Sequence, residues 1–156
     1  MIPASRLAES ALVEKWRLYA EAGGHLVLSC RTGQKDSRGQ LPEGPWVGSV
    51  SALIGARVRT FDTLPDGGAG TVRGAGKTHT WSTWAHLLDP DPGTEVLASY
   101  ADQFYAGTAA AVTRRLGKGS VTYVGVETAE GELEPVPPPA RVLLGTNPLP
   151  PAQALV

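Results

Sequence analysis

The sequence is short of several residue types, and each shortage excludes a class of protein. A single cysteine, Cys30, cannot form an internal disulfide, so a disulfide framework is excluded. Fourteen basic residues against fifteen acidic ones leave a net charge of −1, which provides no broad positive field for a nucleic-acid backbone. No apolar run approaches the roughly 18 residues that a membrane span requires. We therefore expect neither a nucleic acid nor a membrane as a partner.

What remains is the composition of one globular domain. The chain has 156 residues, of which 42% are hydrophobic and 19% are charged, and that length is typical of a single domain with its own core. Because the first residues lack the pattern of a secretory signal, we expect a cytoplasmic protein. Seven of the thirteen prolines lie between Pro135 and Pro151. Since proline removes a backbone donor, we predict a domain over residues 1–134 and a proline-rich tail over residues 135–156.

Hydrophobic periodicity predicts most of the helices and strands. A stripe that includes Trp16 and Ala20 predicts a helix over about residues 5–22, with Ser5 as its N-cap. A nearly continuous apolar run predicts a strand over residues 25–30, of the kind that is buried on both faces of a parallel sheet. The other expected elements are a helix around residues 46–54, strands over residues 56–61 and 95–100, and hairpins over residues 71–81 and 109–126.

Cys30 is a candidate nucleophile because it stands at the end of a predicted buried strand. A nucleophile elbow normally has glycine two residues before and two after the nucleophile, but Leu28 and Thr32 occupy those positions. A catalytic thiol also needs a histidine base, and His25 lies about 16 Å away along the same extended strand at ~3.3 Å per residue. A buried free cysteine is usually a small apolar residue. We therefore predict no catalytic residue, and keep Cys30 as the alternative.

An aromatic segment over residues 79–86 offers a second kind of site. Trp81 and Trp84 stand there among polar residues, with a histidine at each end. Aromatic rings stack on sugars, but tryptophan is also enriched in cores and subunit interfaces, so packing is the preferred interpretation. Two histidines without a third ligand do not make a metal site, and we predict neither a metal nor a cofactor. Together with Phe104 and Tyr105, these tryptophans are the residues we expect at an interface or against a sugar.

Several blocks of the chain share their order and spacing with one known family. The blocks are Tyr19–Ser29, Arg31–Asp36, Leu53–Val58 with Phe61-Asp62, Tyr100–Gly107, and Arg115–Gly119 with Val121–Gly125. Together they resemble the middle domain of family 42 β-galactosidases, also called the trimerisation domain. The resemblance runs from residue 9 to about residue 128, which is roughly three quarters of the chain.

The resemblance implies an α/β fold of the flavodoxin-like, class I glutamine amidotransferase-like type. Such a fold has a mostly parallel sheet between helices, and here we expect it to end in a C-terminal β-hairpin. Because Met1-Ile2-Pro3 looks like the end of an earlier strand, we expect an N-terminally truncated version with an uncovered sheet edge. Exposed edges invite pairing with another chain, so we expect a homo-oligomer.

The resemblance also implies a function without catalysis. The catalytic glutamates of these galactosidases belong to a separate barrel domain, and a (β/α)₈ barrel of about 250 residues does not fit into this chain. We therefore predict a structural or oligomerisation module, not an enzyme, that associates with itself as a dimer or trimer. A separate galactosidase barrel chain is a second partner to consider. The alternatives are an amidotransferase-like hydrolase that uses Cys30 and a sugar-binding module that uses Trp81 and Trp84.

Overall fold

Two helices and eight strands make up the secondary structure of residues 5–36, 38–41 and 46–127, which are the residues that the computed structural model describes. The helices are α1 (Ser10–Glu21) and α2 (Gly48–Ile54). The strands are β1 (His25–Ser29), β2 (Ala56–Thr63), β3 (Gly70–Gly74), β4 (Lys77–Trp81), β5 (Trp84–Pro90), β6 (Glu95–Tyr100), β7 (Ala109–Leu116) and β8 (Gly119–Val124). Among the described residues, no helix has the length and apolar character needed to cross a membrane.

The strands form one mixed sheet that curls into a half-barrel. Its hydrogen-bonded order is β1-β8-β7-β6-β3-β4, while β2 pairs with β5 and β5 also pairs with β7. Among the described strands, β1 and β8 are the one parallel pair, and every other pair is antiparallel. Both helices contribute to the same hydrophobic cluster, so they lie over one face of this sheet.

The predicted fold class, a flavodoxin-like or class I glutamine amidotransferase-like α/β fold with a mostly parallel sheet, is wrong. The links between consecutive strands are too short for it: residues 75–76 join β3 to β4, and residues 117–118 join β7 to β8. A parallel neighbour needs a crossover of about a dozen residues or more, whereas a short link returns the chain antiparallel. The expected C-terminal hairpin is present as β7 and β8.

Most of the individual elements follow the sequence pattern. The predicted first helix is confirmed, but it begins at Ser10, and its N-cap is Glu9 without a side-chain hydrogen bond. The predicted cap is therefore wrong, and the Ser5 hydroxyl instead donates to the Leu7 carbonyl. The hairpin of β3 and β4 is also confirmed. Its turn residues Ala75 and Gly76 have φ values of 52° and 74°, as a type I′ turn between twisted strands requires.

Two hydrophobic clusters hold the fold together. The larger one lies between the helices and the sheet, where Trp16 of α1 and Ile54 of α2 pack with Tyr123 of β8. The smaller one is built mainly from the antiparallel part of the sheet and contains Trp81 and Tyr100. The aromatic segment that the sequence offered as a site therefore contributes to a core, and the end of β1 lies where the two clusters meet β8.

Candidate functional site

Cys30 follows β1 directly, and its side chain is buried. Burial raises the pKa of this thiol well above its usual value, and the nearby Glu127 carboxylate raises it further against the opposing charge of Arg31. Because the thiolate is the reactive form of cysteine, a thiol held protonated at neutral pH is a poor nucleophile. The surroundings of Cys30 are those of a structural cysteine.

The sharp turn after β1 is made by Arg31, not by Cys30. Arg31 has a φ of 68° and Gly33 a φ of 70°, so the backbone bends through left-handed conformations just beyond the buried strand. A nucleophile elbow exposes its reactive residue at such a turn, but a guanidinium remains protonated and cannot attack. The Arg31 guanidinium instead lies 4.5 Å from the centre of the Trp84 ring, and its Nε donates to Gln34 at 3.3 Å.

His86 is the one buried histidine of the three in the chain, all of which lie in the described ranges. Its Nδ1 lies 2.8 Å from the Tyr123 hydroxyl, and the two rings stack with centroids 6.2 Å apart. Its Nε2 is buried and has no hydrogen-bond partner among the described residues. Since neither ring nitrogen is bound to the Cys30 thiol, the structure does not assemble the thiol–imidazole pair that catalysis at Cys30 needs.

The environment of His86 also determines its charge. Burial, assisted by the positive charge of Arg31, lowers the pKa of His86 to about 4. An unperturbed histidine has a pKa of about 6.5, so His86 is neutral at pH 7 in the folded chain. The unfolded chain therefore takes up the proton more readily, and the native state loses stability as the pH falls from about 6.5 toward 4.

We predict that acidification through this window costs the wild-type chain about 3 kcal/mol in its free energy of unfolding through His86 alone. A His86→Gln variant, which cannot take up this proton, is expected to have a flatter profile between pH 6.5 and pH 4. Denaturant titrations at several pH values measure the difference. A His79→Gln variant, which replaces a partly buried histidine on β4, is the control for the substitution itself. Identical slopes for wild type and His86→Gln would contradict the prediction.

The two tryptophans named from the sequence both serve internal packing. Trp81 is 1% exposed and meets Tyr100 edge to face, with ring centroids 6.0 Å apart. The half-buried Trp84 stacks on Phe61 at 4.5 Å and also carries the guanidinium of Arg31 over its ring. A sugar needs a free ring face on which to stack, and these contacts favour packing over sugar binding at both positions.

Phe104 and Tyr105 lie in the link between β6 and β7, residues 101–108, which we call the Phe104 loop. Phe104 is 93% exposed, whereas Tyr105 is buried. The Tyr105 hydroxyl donates to Asp62 at 2.6 Å, and Asp102 accepts hydrogen bonds from the backbone and hydroxyl of Thr71. The loop is thus tied at two points and holds one aromatic ring in solvent.

Helix α1 carries a second apolar surface that the sequence argument did not single out. We call it the outer face of α1, and it consists of Ala11, Leu12, Lys15, Leu18 and Tyr19. Leu18 is 52% exposed and Tyr19 is 56% exposed, while Trp16 and Ala20 point into the core. The signal was available in the helical periodicity, since apolar residues occur on both sides of the predicted helix.

No group of three or more histidine, cysteine, aspartate or glutamate side chains within the described ranges is arranged to hold a metal ion. Asp62 and Asp102 instead accept hydrogen bonds that hold the Phe104 loop in place. The sequence does not reveal these pairings, because only the fold brings Asp62 to Tyr105 and Asp102 to Thr71.

The family model of the β-galactosidase trimerisation domain matches residues 1–136. The chain belongs to this family. The chain is 39% identical over 107 residues to β-galactosidase BgaH of Haloferax lucentense, a match that covers 69% of the chain and 16% of that relative. It is 33% identical over 135 residues to β-galactosidase Bga of Halorubrum lacusprofundi, covering 80% of the chain and 19% of the relative. The resemblance inferred from the sequence blocks is confirmed.

Solved structures agree with this assignment to the trimerisation-domain family. The β-galactosidase from the Antarctic haloarchaeon Halorubrum lacusprofundi superposes with a TM-score of 0.77 at 32% identity, covering 91% of the chain and 20% of that structure. The cold-adapted β-galactosidase from Rahnella sp. R3 gives a TM-score of 0.77 at 22% identity over 83% of the chain and 20% of that structure, which supports the fold alone. The chain thus spans no more than about a fifth of each of these galactosidases.

Proposed function

We propose that the chain is a non-catalytic self-association module that forms a homotrimer. The observation that carries the proposal is the match of residues 1–136 to a domain described by its part in trimerisation. The hydrolytic activity that the relatives' names state belongs to proteins of which this chain spans 16% and 19%. A separate galactosidase barrel chain as a further partner stays a prediction, and so does the boundary at residue 134, which lies outside the described residues.

The described residues support the non-catalytic part of the proposal. The buried Cys30 thiol has a raised pKa, and His86 is paired with Tyr123 instead of with the thiol. The position that would expose a nucleophile is occupied by Arg31. An arginine at that turn can position an aromatic ring or bind an anion, but it cannot form a covalent intermediate.

We expect light scattering of the purified chain to give three times the chain mass of 16.3 kDa across the micromolar range. The same sample should hydrolyse a chromogenic galactoside no faster than buffer does. A strictly monomeric chain would contradict the proposed trimer. Hydrolysis that disappears in a Cys30→Ser variant would contradict the non-catalytic role and favour the hydrolase alternative.

A further inference from the structure

The Phe104 loop has the properties of an interface anchor. Phe104 is 93% exposed. Covering its ring in an interface would contribute favourable binding free energy, because aromatic side chains bury a large apolar area. The loop is already ordered by the hydrogen bonds of Tyr105 to Asp62 and of Thr71 to Asp102. Pre-organisation reduces the entropy that binding costs. The Asp102 carboxylate is partly buried in this tether, so the tip of the loop presents a ring without an exposed charge beside it.

The outer face of α1 has the complementary properties of a docking surface. Leu18 lies at its centre, and the Tyr19 ring packs on Gly24, where a Cβ would lie closer than 3.0 Å to the ring. Tyr19 is thereby placed beside Gly24 while 56% of the residue remains exposed. Lys15 lies on the same face and can place its cation near an aromatic ring. Along one flank Arg17 is paired with both Glu14 and Glu21, which gives an apolar centre with a charged rim of net charge −1.

The two surfaces belong to different parts of the fold. Helix α1 covers the larger hydrophobic cluster, whereas the Phe104 loop extends from the smaller cluster through Tyr105. A closed ring of three identical subunits needs a heterologous contact, in which each copy offers two different patches to its two neighbours. The described residues include a protruding aromatic patch and an apolar helical patch, and a second copy of the chain supplies the partner for each.

We propose that the Phe104 loop of one copy docks on the outer face of α1 of the next copy, so that three such contacts close the trimer. The inference rests on the proposed self-association and assigns the surfaces that produce it. Phe104 then contacts Leu18 and Tyr19 of the neighbouring copy, with the Lys15 ammonium over one face of its ring.

Two single variants and their mixture test this assignment. Phe104→Ala removes the anchor and Leu18→Glu places a charge in the docking surface, and each is expected to weaken association by about 30-fold per contact, as for an interface hot spot. Each variant alone should run as a monomer at concentrations where the wild type is a trimer. Both side chains are exposed, so the melting of the monomer, followed by circular dichroism, should show that both variants fold.

The mixture distinguishes a heterologous contact from any other. Phe104→Ala retains an intact helix face and Leu18→Glu retains an intact loop, so one contact can form between them and an equimolar mixture should give dimers of one copy each. The control Val96→Thr changes another exposed apolar residue, on β6, and should remain a trimer. A mixture that stays monomeric, or trimers that survive both variants, would overturn the inference while leaving the trimer standing. A monomeric wild type would overturn both proposals.

Discussion

Replacement of Gly119 by alanine is expected to lower the free energy of unfolding by about 4 kcal/mol or to prevent folding. An added Cβ would lie closer than 3.0 Å to the carbonyl oxygens of Gly24 and Ala20. Both oxygens already accept backbone hydrogen bonds. The Gly24 carbonyl accepts from the Ser120 amide at 3.1 Å, and the Ala20 carbonyl accepts from the Gly23 amide at 3.0 Å. Neither can move aside without breaking the joint between α1, β1 and the β7–β8 turn.

Gly48→Ala is the matched control for this experiment. Gly48 is the first residue of α2, and a Cβ there would meet nothing within 4 Å. Because alanine is the better helix former, this variant should be neutral or more stable by up to about 1 kcal/mol. Urea titrations of the two variants and the wild type give the comparison. A loss of less than about 1 kcal/mol for Gly119→Ala would show that the close approach at Gly119 is not needed.

The strand β1 shows how far the sequence could predict the sheet. Its uninterrupted apolar run indicated burial on both faces in a parallel pair, and Leu26, Val27 and Leu28 are indeed buried beside the parallel neighbour β8. The extension of that inference to the whole sheet was wrong. The short links between consecutive strands can be read from the sequence, and they favour antiparallel neighbours. The wrong fold class came from the resemblance to larger α/β folds, which implied a mostly parallel sheet.

The strand β5 was missed for a different reason. Ala85, His86, Leu87 and Leu88 are all buried, so the segment has no alternation of polar and apolar residues to reveal a strand. The pairing of His86 with Tyr123 joins residues 37 positions apart, and only the fold determines which polar groups share a buried space. Local periodicity therefore predicted elements well and said little about the surroundings of His86 or Cys30.

The exposure of Phe104 could not be predicted from its residue type, because phenylalanine is among the residues most often buried. The loop carries it outward because Tyr105, the next residue, turns inward to reach Asp62. Two adjacent aromatic residues thus have opposite roles, one in the core and one on the surface. The sequence identified both as interface candidates without separating these roles.

Trp81→Ala is expected to cost about 3–5 kcal/mol, because it removes the largest fully buried side chain of the described residues and leaves a cavity. The neighbouring residues pack closely around the Trp81 ring. Gly70 lies opposite Trp81 in the β3–β4 ladder, and a Cβ at Gly70 would lie closer than 3.0 Å to the indole. Tyr100 meets the same ring edge to face, so no neighbour can fill the space that alanine would leave.

Trp81→Phe separates the volume of the ring from its N–H group. The indole Nε1 is buried without a hydrogen-bond partner among the described residues, so phenylalanine loses packing but also removes an unsatisfied donor, and about 1–2 kcal/mol is the expected cost. Equilibrium unfolding of wild type and both variants measures the loss in free energy of unfolding for each substitution. Tryptophan fluorescence of the wild type in millimolar galactose tests the sugar-binding alternative. If alanine cost no more than phenylalanine, Trp81 would not be a core residue. A galactose-induced change in fluorescence that disappears in Trp81→Phe would make Trp81 a ligand-facing residue. For a core residue we expect a large loss in the free energy of unfolding for Trp81→Ala and no change in fluorescence with galactose, because a ring that is buried in the sheet is not available to a sugar.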